Sequence, residues 1–119
     1  MPALTMKLAN ELLDKAIAER GADYVYNPPE EMASQGQCYY VHGDQPGCIV
    51  GHVLNLFGVS LETLSTVEGN DAFYAIRKLL PSTSEVVREF LTDIQHNQDN
   101  GMRWGEAVNE ARAEFGMAV

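Results

Sequence analysis

The chain has 119 residues, 45% of them hydrophobic, with two cysteines and a net charge of −9 from 8 Lys+Arg against 17 Asp+Glu. That length suits one domain over 1–119 that can bury a core without a lattice of disulfides, and the apolar content excludes wholesale disorder. No run approaches the roughly 18 apolar residues that a membrane span needs, and no basic stretch followed by an apolar run marks a secretory signal at the start.

From Leu4 to Arg20, Leu4, Leu8, Leu12, Leu13, Ala16 and Ile17 recur at helical spacing with charged residues between them, which predicts an amphipathic helix closed by Gly21. Ala22–Tyr26 and Gln37–His42 are rich in strand-favouring residues. They are expected to pair as a short antiparallel hairpin across a long loop near Pro28–Gln35. Pro46–Gly58 is apolar almost all round, so it is expected to be a short helix at the centre of the core, stopped by Gly58. Ser60 can cap a brief turn through Thr66, and Asn70 or Asp71 can open a helix that turns Phe73, Ile76, Leu79 and Leu80 inward before Pro81. Ser82 and Glu85 have capping-box spacing ahead of a stripe of Val86, Val87, Phe90, Leu91 and Ile94, which Gly101 ends. Trp104, Ala107, Val108, Ala111 and Phe115 carry a last helix. The expected fold is α+β, mainly α: about five helices packed with a short two-stranded antiparallel hairpin.

Charge narrows the partners. No Lys or Arg occurs between Gly21 and Ile76, where Asp23, Glu30, Glu31, Asp44, Glu62, Glu68 and Asp71 all fall. Phosphate binding needs clustered cations, so direct contact with nucleic acid or an anionic membrane is not expected. A basic protein partner is compatible with this charge, as is mimicry of a nucleic acid. An acidic surface that serves solubility alone is the plainer reading.

Cys38, His42, Cys48 and His52 follow the spacing of two thiols and two imidazoles, the ligand set of a closed tetrahedral zinc site. Cys48 and His52, four apart on a helix, can converge on one ion. Cys38 and His42 cannot do so along an extended strand, where they stand about 13 Å apart. Cys38, Cys48 and His52, completed by His96, Asp44 or water, form the set compatible with zinc. The sequence equally allows Cys48 as a packed core thiol, a Cys38–Cys48 disulfide, or a Cys48 nucleophile at a helix start with His42 or His52 as base. That last layout resembles papain-like and NlpC/P60 hydrolases in outline only, because those enzymes carry their histidine on a downstream strand and this chain offers only helices after Cys48. No phosphate loop, zinc-protease motif or nucleophile elbow is present, so no catalytic residue is assigned. With two cysteines, a cytoplasmic setting is expected.

Tyr24, Tyr26, Tyr39 and Tyr40, with Glu30 and Glu31 in the loop between them, form the candidate binding surface, while the simpler reading of alternating strand faces puts some of these tyrosines against the helices and leaves others at the surface. Exposed tyrosines make good anchors for a protein partner. The segments Gly-Cys-Ile-Val-Gly-His-Val-Leu (47–54) and Asn-Gln-Asp-Asn-Gly-Met-Arg-Trp-Gly-Glu-Ala-Val (97–108) resemble small proteins of actinobacteria and their phages that have no assigned activity. The resemblance implies a phage or prophage accessory protein that acts by binding a host protein, and it transfers no catalytic residue.

Overall fold

The computed structural model describes residues 2–26 and 39–117. Among these residues six helices and one two-stranded antiparallel hairpin form the mainly helical fold that the sequence predicts. Helix α1 spans Met6–Arg20, with Thr5 accepting from the Leu8 N–H as N-cap and Gly21, at φ +99°, ending it. Its buried face is Ala9, Leu12, Leu13 and Ala16. Just before it, the Leu4 N–H donates to Thr83 Oγ1 at 3.0 Å, pinning the start of the chain to a turn 79 positions away.

Strands β1 (Val41–His42) and β2 (Gln45–Pro46) pair with Val41 opposite Pro46 and His42 opposite Gln45. Gly43, at φ +63°, and Asp44 make the connecting turn. A two-residue hairpin turn needs a positive φ at its first central position, which glycine supplies without strain. Among the described residues the hairpin is therefore local, within one short segment, and Ala22–Tyr26 does not pair with 39–42 as a strand. The loop expected near Pro28–Gln35 lies outside the described residues.

What Ala22–Tyr26 does instead follows from helix α6, Trp104–Glu114. Its N-cap is Arg103, which has no side-chain oxygen and makes no capping bond. The free N–H groups of the first turn must go elsewhere. Trp104 N donates to Tyr24 O at 2.8 Å and Gly105 N to Ala22 O at 2.9 Å, and Val25 bridges Arg103. The predicted first strand is thus a backbone strap that caps α6. A β-carbon on Gly105 would stand 2.9 Å from the Ala22 β-carbon, so this close approach needs glycine.

Helix α2, Ile49–Phe57, is the centre of the core as expected. All six residues from Ile49 to Leu54 are buried, and Gly58 closes the helix in the left-handed region at φ +118°. Helix α3 is Leu61–Ser65 with Ser60 as cap, and α4 is Ala72–Leu79 with Asp71 as cap. Ile76 and Leu80 point fully inward, while Phe73 is half-buried under the Arg88 guanidinium, 4.5 Å above its ring. Helix α5, Glu85–Asp99, is capped by Ser84 and not by Ser82. That places Val87, Phe90, Leu91 and Ile94 inward and leaves Val86 exposed, which corrects one position of the predicted stripe. No helix among the described residues is long and apolar enough to cross a membrane.

Candidate functional site: the hairpin and its seat

The hairpin is seated by contacts from four directions. Glu68, in the connection between α3 and α4, accepts from the Tyr40 N–H at 2.7 Å with Oε1 and from the Val41 N–H at 3.2 Å with Oε2. The Tyr40 hydroxyl donates to Asn70 O at 2.6 Å. Arg20, at the end of α1, donates to Pro46 O at 2.8 Å. From below, Gly51 of α2 lies so close that a β-carbon there would be 2.5 Å from Tyr40 O and 2.9 Å from Tyr40 Cα. Gly47 makes the same kind of approach to Tyr39 O and the His42 ring.

A second set of bonds links the hairpin to the strap. The Tyr26 hydroxyl accepts from the Tyr39 N–H at 3.0 Å and stands 2.8 Å from His42 Nε2. Having taken the amide proton, the phenol can give its own to His42 Nε2, an arrangement that suits the neutral imidazole protonated on Nδ1. Burial, and then the Arg20 charge, lowers the His42 pKa from its ordinary value, which favours the neutral ring. Burial pushes the Tyr26 phenol up to about 12 and raises Tyr40 as well, so both stay protonated donors. Glu68 is raised by burial, with its two backbone N–H bonds acting in the opposite direction.

This geometry redistributes the predicted binding residues. Tyr40 is fully buried and Tyr26 nearly so, at 9% exposure, because each phenol is needed inside as a hydrogen-bond partner. A surface of four exposed tyrosines is therefore not what the fold presents: Tyr26 and Tyr40 face inward and build the seat, as the reading of alternating strand faces allows. Tyr24 is half-buried, edge-on to Trp104 at 4.8 Å with its hydroxyl accepting from Arg20 at 3.1 Å, and Tyr39 is half-buried beside the hairpin. Glu30 and Glu31 lie outside the described residues. The exposed part is the turn itself, Gly43–Gln45, with Asp44 at its tip. Glu62 and Asp71 are also exposed, on the α3–α4 side that Glu68 and Asn70 bind to the hairpin.

The predicted metal residues are placed differently. Cys48 is fully buried, is disulfide-bonded, and caps α2 with its sulfur 3.5 Å from the Gly51 nitrogen. A zinc ligand or a nucleophile must be a thiolate, and a disulfide sulfur is not one. In the disulfide Cys48 is not a thiolate, while its full burial matches the expectation of a residue packed in the core. His52 is committed elsewhere: Nε2 meets Glu19 Oε2 at 2.6 Å, and the ring lies edge-on to Trp104, 5.9 Å between centroids. Cys38 lies outside the described residues. The disulfide also removes the support that the cysteine count gave to a cytoplasmic setting, since disulfides persist in oxidising surroundings.

Sequence reasoning missed Glu68, Gly51 and Arg20 as the parts that hold the hairpin. Glu68 carried a faint signal, an acid in a turn after a short helix, but its target is 27 and 28 positions away. Among the described residues, open clefts elsewhere include one of about 390 Å³ between Asp23 and Glu110 and one of about 490 Å³ beside Asn10 and Arg112; neither is lined by a histidine or cysteine. In comparison with known proteins, the chain matches no family model, no curated protein and no solved structure.

Proposed function

We propose that the chain is a small acidic, non-enzymatic domain that binds another protein through the tip and acidic rim of the seated hairpin. The observation that carries this reading is the pairing of charge with rigidity. A stretch of 56 residues, from Gly21 to Ile76, contains no Lys or Arg, and of its exposed acids Asp44 stands at the hairpin tip, Asp71 follows Asn70, whose carbonyl takes the Tyr40 hydroxyl, and Glu62 lies on α3, while Asp23 lies on the strap. The hairpin backbone is fixed by Glu68, Tyr26, Arg20 and Gly51, so a partner meets a preformed surface and little ordering entropy opposes binding. A surface of this sign suits a Lys- and Arg-bearing face on the partner and speeds encounter with it. Nucleic acid and anionic membrane are poor matches for the same reason. The resemblance to phage and actinobacterial proteins fits a host protein as that partner.

A zero-length carbodiimide cross-linker, which joins carboxylates to lysines, tests this reading directly. Cross-links to a partner are expected at Asp44, Glu62 or Asp71 and lost in Asp44→Lys/Glu62→Lys. Cross-links confined to the exposed acids of α5, or unchanged by the double charge reversal, would contradict it.

A further inference from the structure

In a chain with 17 Asp+Glu, the stretch from Ala72 to Ser84 contains no acid, and it carries the adjacent cations Arg77 and Lys78 in the last turn of α4. Helix α4 buries Ala72, Ala75 and Ile76, which turns Tyr74, Arg77 and Lys78 outward and leaves Phe73 half-buried at the edge. Residues three and four apart on a helix are neighbours, so Arg77 stands beside both Phe73 and Tyr74, and Lys78 flanks Tyr74 on its other side. Arg88 reaches over from α5 and lays its guanidinium 4.5 Å from the centre of the Phe73 ring. Cations and aromatic rings thus alternate along one face: Arg88, Phe73, Arg77, Tyr74, Lys78.

The charge of this face is not used inside the protein. Among the described residues, no carboxylate stands within ion-pair distance of Arg77, Lys78 or Arg88. Arg88 Nε is buried with no hydrogen-bond partner, an uncompensated desolvation. Arg77 and Lys78 suit the C-terminal end of α4, but Arg88 lies near the N-terminal end of α5, where the helix dipole opposes a cation. Tyr74, at 49% exposure, is among the most exposed large side chains of the fold.

We propose that this face of α4, with Arg88 of α5, is a second docking surface, of opposite sign to the hairpin rim, and that it takes a short acidic segment of a protein partner. Carboxylates of that segment bond Arg77, Lys78 and Arg88, and an apolar side chain packs on Tyr74. Stacking on Phe73 holds the Arg88 guanidinium in one plane, so less freedom is lost when a carboxylate meets it. Asp71 at the start of α4 and Glu85 at the start of α5 bound the face, which confines it to about two helical turns. Three cations over that length match a few carboxylates. A nucleic acid needs a longer track of cations and extends into the field of a chain of net charge −9, whereas salt screens those distant acids from a short segment.

The isotope-labelled chain, titrated by NMR at about 0.15 M salt, tests this with three probes: the capped peptide Glu-Glu-Leu-Glu-Glu, its Gln-Gln-Leu-Gln-Gln counterpart and an oligodeoxythymidine. The acidic peptide should shift the backbone amides of α4 and the Arg88 Nε–H resonance while leaving Gly43–Gln45 in place, and the neutral peptide should not. Arg77→Glu/Lys78→Glu, and the milder Arg77→Gln/Lys78→Gln, should melt as the wild type does, with the charge reversal binding the acidic peptide about tenfold more weakly. Shifts that bypass α4, that the neutral peptide reproduces, or that survive both variants would overturn the proposal. Tighter binding of the oligodeoxythymidine at the same amides would overturn the acidic segment as occupant. So would growth in sedimenting mass with concentration that the charge reversal abolishes, since a second copy would then cover the face.

Discussion

Replacing Gly51 by alanine sets two physical effects against each other, and the structure decides the sign. Gly51 lies inside α2, where an alanine is worth about 1 kcal/mol over glycine in helix propensity. On sequence alone, Gly51→Ala should stabilise. In the fold, the added β-carbon would stand 2.5 Å from Tyr40 O and 2.9 Å from Tyr40 Cα, where ordinary contact begins near 3.4 Å. The obstacle is backbone, and it cannot easily yield: Tyr40 N is held by Glu68, Tyr40 O by Gly47 N, and the Tyr40 hydroxyl by Asn70 O. Overpacking of a fixed core typically costs about 1–3 kcal/mol, and a clash this close with fixed backbone belongs at the upper end. The net expectation is a loss of about 2 kcal/mol, which for a domain of this size lowers the melting temperature by about 8 °C. Urea titration and thermal melting followed by the fluorescence of Trp104, the single tryptophan and fully buried, give both numbers. A variant as stable as the wild type, or more so, would mean that the hairpin does not rest on α2 and that propensity alone governs the site.

Three further outcomes follow from the same contacts. Tyr26→Phe should lose about 1–2 kcal/mol at neutral pH, since the phenol both accepts from the Tyr39 N–H and is hydrogen-bonded to His42 Nε2. Because burial raises the Tyr26 pKa to about 12, the native state favours the protonated phenol; stability should fall as pH rises from 10, where the unfolded phenol ionises, towards 12, and the phenylalanine variant should lose less over that window. His42 has a lowered pKa in the fold, so the unfolded chain binds its proton first; stability should drop as pH falls through about 6.5 towards the lower folded value, and His42→Gln should remove that part of the slope in urea titrations. For α5, Ser84→Ala should cost about 1 kcal/mol as a lost cap, whereas Ser82→Ala should stay within about 0.5 kcal/mol; the reverse order in melting experiments would restore Ser82 as the cap.

The helices were legible because their causes are local. The spacing of Leu8, Leu12 and Leu13, the all-apolar run from Ile49 to Leu54, and Gly21 and Gly58 as stops are each contained in one segment. The hairpin was misassigned for the opposite reason. Ala22–Tyr26 has strand composition, but its partner is the start of α6, and that need arises from Arg103, about 80 positions away, lacking a capping oxygen. That some of the tyrosines turn inward was legible from alternating strand faces, but which ones was not: an aromatic rich in hydrogen-bonding capacity suits an exposed anchor or an interior post equally well, and only Asn70 O and His42, brought close by the fold, choose between them for Tyr40 and Tyr26. The cysteine spacing suggested a metal because ligand chemistry can be read from residue types, whereas the enclosure of Cys48 is a property of the assembled core.

The central claim is that the acidic hairpin rim meets a basic protein, and the affinity of the cross-linked partner, purified and titrated against wild type and Asp44→Lys/Glu62→Lys at rising salt, tests it most directly. The account predicts that affinity weakens steeply with salt for the wild type, and that the charge-reversed chain folds normally but binds at least tenfold less tightly, a difference of about 1.4 kcal/mol. Equal affinity of the two chains across the salt series would contradict it and move the contact surface away from the hairpin.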